Sequence, residues 1–269
     1  MHGDHTADAA MLRHYAQVDE GARLLRSGHG RLELVRTREL MVRFLPPAPA
    51  RVLDIGGATG IHAGWLAGRG YDVHLVDPVP EHVDAALAHG GFTAAVGDAR
   101  AVDQPGGGAD AVLLLGPLYH LVERGDRLVA LREARRVLRP GGVLLAGAIG
   151  RYMALLDWAS AGRLTPDVAD RLRPVLRTGR HDPSLGFTDA FFHTPAELRA
   201  EVVEAGFAGV GVIGVEGPLW TAFDAAGPDR EHELYDSALL AARAAEGDDD
   251  TLAAMSGHLL AVARVGERP

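Results

Sequence analysis

Residues 51–65 read RVLDIGGATGIHAGW, and this stretch decides the fold. An apolar run that ends at Ile55 is followed by three closely spaced glycines, Gly56, Gly57 and Gly60, and then by a segment with helical spacing. Glycine permits a tight turn and a close approach of the backbone to a ligand. The first turn of a helix offers unpaired N–H groups and the positive end of the helix dipole. The pattern therefore predicts a strand, a glycine-rich turn and a helix that together form a ligand site.

The acid inside this stretch argues against a pyrophosphate ligand. A dinucleotide-binding turn has the spacing G-x-G-x-x-G, with the phosphates close to the glycines, whereas here Asp54 lies two positions before the first glycine. A carboxylate at that place repels a pyrophosphate and suits a cationic ligand. Asp77 and Asp98 end the next two strand candidates, and an acid placed like Asp77 can accept hydrogen bonds from ribose hydroxyls. Each acid taken alone also fits a strand-end turn or a helix cap.

Short apolar runs alternate with helical patterns along the chain, which predicts an α/β fold. The strand candidates are 51–56, 72–77, 92–98, 109–116, 141–149, 209–217 and 258–266. Strands this apolar are best buried on both faces, as in a parallel sheet. Right-handed crossovers then give a doubly wound sheet with its ligand cleft at the carboxyl ends of the strands.

Two helical regions interrupt the alternation. Residues 1–45 have helical patterns and end at a proline-rich linker, and residues 151–190 form a second helical stretch between a strand and a helix. We therefore predict an N-terminal helical lid at 1–45 and a core made of 46–150 and 191–269. The stretch 151–190 is predicted to be an inserted helical cap over the active site.

Composition narrows the function classes. The chain has 269 residues, 47% of them hydrophobic, and a net charge of −9, which offers no basic surface for nucleic acid or an anionic membrane. It has no cysteine, which excludes disulfides, thiolate metal sites and a cysteine nucleophile. The amino terminus lacks the features of a signal peptide and no apolar run reaches the ~20 residues of a membrane span, so we expect a cytoplasmic protein. The 13 histidines are scattered and show no H-x-x-x-H pattern, so no metal site is predicted.

Five segments, in order, resemble the motifs of class I S-adenosylmethionine-dependent methyltransferases. They are VLDIGGATG (52–60), VHLVDPVPEHV (73–83), AAVGDARAVD (94–103), ADAVLLLGPLYHL (109–121) and ALREARRVLRPGGVLLAGAI (130–149). A looser similarity extends to 191–217 and 258–265. The resemblance implies a doubly wound, Rossmann-like, mostly parallel seven-stranded sheet with an antiparallel last strand and a helical cap. It also implies S-adenosyl-L-methionine as cofactor and S-adenosyl-L-homocysteine as product.

The resemblance, carried over position by position, implies a cofactor site. Asp54 would face the amino group of the methionine part, and Asp77 would hold the ribose hydroxyls. Arg36 could pair with the cofactor carboxylate, although an arginine on a helix surface fits the pattern equally. Where many relatives have a further glycine this chain has Ala58, and we expect binding to survive so small a change. The other residues implied to border the cofactor are Gly56, Gly57, Gly60, Pro78, Asp98, Ala99, Arg100, Gly116 and Leu118.

The segment after the fourth strand offers candidates for catalysis. His120 is the best candidate for a general base, because histidine titrates near neutral pH, and Tyr119 lies beside it. The alternative is that one of the two only packs or bonds to the backbone. The candidates for contact with the acceptor are Tyr15, His14, Arg151, Tyr152, His193 and Trp220.

The leading hypothesis is methyl transfer to oxygen, nitrogen or carbon of a small molecule, which includes natural products, by a monomer or homodimer without nucleic-acid or membrane partners. One alternative is a methyltransferase acting on RNA or protein, which would need a basic groove beside the cleft. A second is a nicotinamide-dependent oxidoreductase, against which Asp54 argues. A third is a non-catalytic protein that retains the S-adenosylmethionine pocket.

Overall fold

The centre of the computed structural model, which describes residues 9–15, 20–226, 230–247 and 249–266, is a seven-stranded sheet. Its strands are β1 (Arg51–Ile55), β2 (Asp72–Asp77), β3 (Thr93–Val96), β4 (Ala109–Leu114), β5 (Leu138–Ile149), β8 (Ala208–Gly214) and β9 (His258–Arg264). The order is β3-β2-β1-β4-β5-β9-β8. The first five strands pair in parallel, and β9 is antiparallel to both β5 and β8. The predicted mostly parallel sheet with an antiparallel last strand is confirmed.

Helices cover both faces of this sheet. They are α1 (Ala9–Tyr15), α2 (Gly28–Phe44), α3 (Ile61–Ala67), α4 (Pro80–His89), α5 (Pro117–His120), α6 (Arg124–Val137), α7 (Met153–Ser160), α8 (Pro166–Thr178), α9 (Pro195–Glu204), α10 (Thr221–Ala226), α11 (Glu231–Ala244) and α12 (Asp250–Ala254). Two short 3-10 helices lie at Glu20–Leu25 and Pro183–Leu185. In the described ranges no helix combines the length and the apolar character that crossing a membrane requires.

The apolar strands are buried on both faces, as the sequence pattern predicts for a parallel sheet. In β4, Leu113 packs in one core cluster with α2 and α3, whereas the adjacent Leu114 packs in the other with α6 and α9. Both side chains are fully buried. β4 is therefore covered by apolar side chains on both of its faces.

The glycine turn after β1 has the backbone that only glycine adopts easily. Gly56 and Gly60 have φ of 74° and 85°, and α3 begins immediately after Gly60. Ala58 has φ of 48°, a left-handed conformation that costs about 1–2 kcal/mol for an L-residue. Its N–H donates to Asp77 Oδ2 at 2.9 Å, so the turn is held against the end of β2.

The region between β5 and α9 contains α7, α8 and a two-stranded sheet of β6 (Arg180–His181) and β7 (Ala190–Phe191). Val168, Leu172 and Val175 of α8 form an apolar cluster with Ile149 at the end of β5. The predicted helical content of 151–190 is thus present. The division of the chain into lid, core and cap stays a prediction, and residues 1–8 and 16–19 of the predicted lid lie outside the described residues.

Candidate functional site

A cavity of about 730 Å³ opens at the carboxyl ends of β1, β2, β3 and β4, where the sequence predicts the cleft. This volume is in the usual range for a ligand site, roughly 300–1,000 Å³. The predicted site residues that line it are Tyr15, Asp54, Gly56, Gly57, Ala58, Asp77, Pro78, Asp98, Ala99, Arg100, Gly116, Tyr119 and His120.

Asp54 is the buried acid at the glycine turn. It is 1% exposed, and its Oδ2 has no hydrogen-bond partner among the described residues. Burial, with the charge of Asp77 as a smaller cause, raises the pKa of Asp54 to about 7. A Cβ on Gly57 would lie 2.8 Å from the Asp54 carboxyl group. The absent side chain therefore leaves space beside a carboxyl oxygen that a donor group on a ligand can reach.

Asp77 is fixed by its own chain and by a histidine. Its Oδ1 accepts from the N–H of Val79 at 3.0 Å and lies 3.2 Å from His82 Nδ1. His82 lines the cavity and is 7% exposed, and its Nε2 is buried with no partner in the described part of the chain. Sequence reasoning missed His82. The available signal was its place in the first turn of α4, five residues after the acid.

Asp98 and Arg100 form an ion pair just after β3. The Arg100 guanidinium donates to both Asp98 oxygens, at 2.9 and 2.8 Å, and to Asp126 at 3.1 Å. The hydrogen bonds that Arg100 donates to Asp98 and, as a smaller cause, to Asp126 raise the pKa of Arg100. The arginine therefore neutralises the acids at this rim of the cavity.

His120 lies between two hydroxyl groups. Its Nε2 is 2.8 Å from Tyr15 Oη and its Nδ1 is 3.3 Å from Thr188 Oγ1. Burial, with His14 as a smaller cause, lowers the pKa of His120 to about 3. The ring is therefore neutral near pH 7. Tyr119, the neighbouring candidate, has its ring 4.6 Å from that of His120.

Three residues expected at the cofactor do not line the described cavity. Arg36 is 2% exposed and its guanidinium is bound by Glu39, Glu246 and the carbonyl of Val215. Leu118, a residue of α5, is fully buried in the hydrophobic core. Gly60 lies behind the turn, where a Cβ would meet the ring of Phe92 at 2.8 Å, so its contribution is the shape of the turn.

Five of the six expected acceptor contacts also lie away from the cavity as far as the structure describes it. His193 and Arg151 are buried and paired with Glu201 and Glu197. Tyr152 is 38% exposed at the surface. Trp220 is fully buried, and its Nε1 donates to the carbonyl of Met255. His14 contacts the ring of Tyr15, which alone of the six lines the cavity.

Part of the cavity wall consists of residues that sequence reasoning missed. Glu33 of α2 and His258 of β9 line the cavity. The fold brings both next to His29 and Glu216 in a histidine–acid cluster that no pattern along the sequence indicates. Although burial lowers it, Glu33 and Glu216 raise the pKa of His258 to about 9. These residues come from distant segments, and spacing along the chain carries no signal for them.

Comparison with known proteins agrees with this geometry. A family model described as a methyltransferase domain matches residues 52–142. An uncharacterized methyltransferase of Mycobacterium bovis is 43% identical over 102 residues, which are 38% of this chain and only 40% of that protein. The ubiquinone biosynthesis O-methyltransferase of Azorhizobium caulinodans is 31% identical over 189 residues, 68% of this chain and 69% of that protein.

Solved structures share the fold. A SAM-dependent methyltransferase of Mesorhizobium loti superposes with a TM-score of 0.57 at 22% identity, over 87% of this chain and 99% of that one. A SAM-dependent methyltransferase of Thermotoga maritima gives a TM-score of 0.60 at 16% identity, over 95% and 98% of the two chains. At these identities the similarity concerns the fold alone.

Proposed function

We propose that this chain transfers a methyl group to a small-molecule acceptor. The premise is that it belongs to the class I S-adenosylmethionine-dependent methyltransferases. One observation carries the proposal. Asp54 and the glycine turn, His120 and the start of β9 line one cavity, so groups that suit a cofactor and groups that suit an acceptor border the same space.

The glycine end fits the cofactor by its chemistry. When bound, S-adenosylmethionine supplies a methyl group activated by a sulfonium sulfur. Its ammonium group matches the unpartnered Oδ2 of Asp54, and its ribose hydroxyls match the Asp77 carboxylate that Ala58, Val79 and His82 orient. The carboxylates and the close backbone at Gly57 together suit a cationic, hydroxyl-bearing ligand and not a pyrophosphate.

His120 is proposed to receive the proton of the acceptor. Methyl transfer depends mainly on holding the two reacting atoms in line and close together, and a base is needed when the acceptor must lose a proton. His120 is neutral, the form that accepts a proton, and its Nε2 already contacts a hydroxyl, that of Tyr15. Burial lowers its pKa to about 3, so the ring is a weak base in the free protein, and the role requires that a bound acceptor and cofactor raise this pKa. An acceptor hydroxyl that replaces Tyr15 would meet the same nitrogen.

The proposed acceptor atom is oxygen, with nitrogen and carbon as alternatives. The support is the similarity to ubiquinone biosynthesis O-methyltransferases at 31% identity together with the hydroxyl–histidine contact in the cavity. The net charge of −9 disfavours RNA as acceptor. The absence of membrane and nucleic-acid partners, the monomeric or homodimeric state and the cytoplasmic location stay predictions.

Titration calorimetry tests the proposal. Purified protein is expected to bind S-adenosylmethionine and S-adenosylhomocysteine with micromolar affinity. In a separate turnover assay, it should convert S-adenosylmethionine to S-adenosylhomocysteine when a panel of phenols and amines is added. Asp77→Ala should abolish cofactor binding, while Asp72→Ala, an exposed acid at the start of the same strand, should not change it.

Three results would favour the alternatives. Binding of reduced nicotinamide cofactor without S-adenosylmethionine binding would contradict the function. Cofactor binding with no transfer to any acceptor would indicate a non-catalytic protein. Affinity for RNA that falls steeply with salt would indicate a nucleic-acid substrate.

A further inference from the structure

Four metal-ligating side chains converge beside the cavity. His29, Glu33, Glu216 and His258, the His–Glu cluster, each offer one ligand atom, and these four atoms lie within 4.8 Å of one another. His29 and Glu33 are one turn apart on α2, Glu216 follows β8, and His258 begins β9. Two imidazoles and two carboxylates from three separate elements therefore surround one point.

The separations resemble those of a small coordination sphere. His29 Nε2 is 3.3 Å from Glu216 Oε1, and His258 Nδ1 is 3.7 Å from Glu33 Oε2. His258 Nδ1 also forms a hydrogen bond with the same Glu216 oxygen. Ligands of a tetrahedral zinc ion, at about 2.0–2.1 Å from the metal, lie about 3.3–3.5 Å apart. The largest separation among the four atoms, up to 4.8 Å, would have to close by about 1.5 Å to reach that spacing. Zinc would also replace the proton that His258 Nδ1 shares with Glu216.

A second layer of contacts orients these ligands. The other oxygen of Glu216 accepts from Ser256 Oγ at 2.6 Å and from the N–H of His258 at 2.9 Å. The ring of Trp220 lies 4.6 Å from that of His29. Arg23 donates to both oxygens of Glu33, at 2.9 and 3.1 Å. Outer contacts of this kind fix ligand orientation in known metal sites.

Charge balance alone does not account for the arrangement. The Glu33 and Glu216 side chains are 13% and 0% exposed, and an ion-pair network would need only Arg23 and His258 to balance them. The additional imidazole of His29 is directed at the same Glu216 oxygen that His258 contacts. A shared centre explains why both histidines face that oxygen.

We propose that the His–Glu cluster binds one divalent transition-metal ion, with zinc as the best match. Imidazole and carboxylate ligands suit Zn²⁺ and its first-row neighbours, whereas Mg²⁺ and Ca²⁺ favour oxygen ligands throughout. Glu33 and His258 also line the cavity, so the ion would lie in its wall, where an oxygen of a bound molecule could add as a fifth ligand. A contact between the ion and an oxygen of the acceptor rests on the proposed function. The binding of the metal does not.

Zinc binding to chelator-treated protein without a polyhistidine tag tests the proposal. Calorimetry and elemental analysis should give one ion per chain, and cobalt substitution should give the intense visible absorption of a four-coordinate site. His258→Ala and Glu216→Gln should each weaken zinc binding at least about 100-fold. His89→Ala, which removes an exposed histidine of α4, should leave it unchanged.

Weak or multiple binding to the folded wild-type protein would overturn the proposal and leave the cluster as an ion-pair network. Equal affinity in wild type, His258→Ala and Glu216→Gln would also overturn it, because the ion would then bind elsewhere. If either variant unfolds, the cobalt spectrum of the wild type decides, since only the intense four-coordinate absorption supports the site. Titration of S-adenosylmethionine in the same samples separates this proposal from the function: cofactor binding without zinc binding overturns the metal site alone.

Discussion

Asp54 shows at the scale of one residue how a ligand site and stability oppose each other. Its carboxyl group is buried beside Asp77 with an unpartnered oxygen. Burying a charge without a partner is unfavourable, and the raised pKa of Asp54 reflects this unfavourable free energy. The same unpaired oxygen is what an ammonium group of a ligand would use.

We expect Asp54→Asn to stabilise the free protein at pH 8 and to weaken binding of S-adenosylmethionine. The folded-state pKa of about 7 lies above the unfolded value, so Asp54 binds its proton more tightly in the folded protein. Wild-type stability is therefore lost as pH rises from about 4 to about 7. The variant lacks this loss. Urea unfolding should show an advantage of up to ~4 kcal/mol at pH 8, since one pKa unit is about 1.4 kcal/mol, and little at pH 4. An advantage equal at both pH values would contradict the assignment.

His82 is expected to support cofactor binding through Asp77. His82→Phe keeps a ring in the buried space but removes both nitrogens, so Asp77 loses one partner and the cavity loses an unpaired Nε2. Loss of a hydrogen bond to a charged group costs about 1.5–3 kcal/mol, which corresponds to a roughly 10–100-fold weaker affinity by calorimetry. His89→Phe, at the exposed end of the same helix, is the matched control. Equal affinities in the two variants would exclude His82 from the site.

The sequence predicts strand-end acids well and pocket contacts poorly. Asp54 and Asp77 lie at the carboxyl ends of β1 and β2, and parallel strands bring these ends to one edge of the sheet, so the position of both acids follows from local pattern. Trp220 and His193 are fully buried away from the cavity, because an aromatic or histidine side chain serves packing as readily as ligand binding. No local sequence pattern predicts that His258 lines the cavity.

At the scale of elements, α6 and α9 are joined by a buried ion pair. Arg127 donates to Glu201 through Nε and Nη2 at 2.9 and 2.7 Å, and both side chains are 2–3% exposed. Burial acts in the opposite direction, but hydrogen bonds from His193 and Arg127 lower the pKa of Glu201 to about 2. The pair thus contributes stability above about pH 4.5 that is lost as pH falls toward 2.

Arg127→Met should destabilise the protein strongly, since it leaves the Glu201 carboxylate buried without its main partner. Breaking a buried pair costs about 3–5 kcal/mol, measurable by urea unfolding at pH 7. The double variant Arg127→Met/Glu201→Met should recover much of this loss because no lone charge remains. A double variant less stable than Arg127→Met would show that the pair is not the source of the effect.

Strand positions are the element-level feature that the sequence predicts best. β1 and β2 begin and end within a residue of their predicted bounds because apolar runs buried on both faces are short and bordered by glycine or charge. β5 instead begins at Leu138, three residues before the predicted start, because pairing of Leu138 with Ala109 extends the ladder across Pro140 and a bulge. Such pairing depends on the neighbouring strand and leaves no local pattern.

At the scale of the whole molecule, cofactor binding should raise thermal stability. A ligand at 100 times its Kd adds about 2.7 kcal/mol, which for a chain of this size is a rise in Tm of roughly 5–10 °C. S-adenosylmethionine should produce this shift in a thermal melt, and reduced nicotinamide cofactor should not. The reverse result would favour the oxidoreductase alternative.

The position of β9 has a consequence for how the protein is made. It is the last described strand along the chain, yet it lies between β5 and β8 in the sheet, so β8 has no neighbour before β9 exists. Roughly a hundred residues separate β5 from β9, which a ribosome adding about 5–20 residues per second needs roughly 5–20 s to make. During that interval the five parallel strands and their glycine turn have already been synthesised, whereas His258 has not. The strand ends that carry the glycine turn are therefore synthesised first, and the part of the cavity wall that β9 supplies is synthesised last.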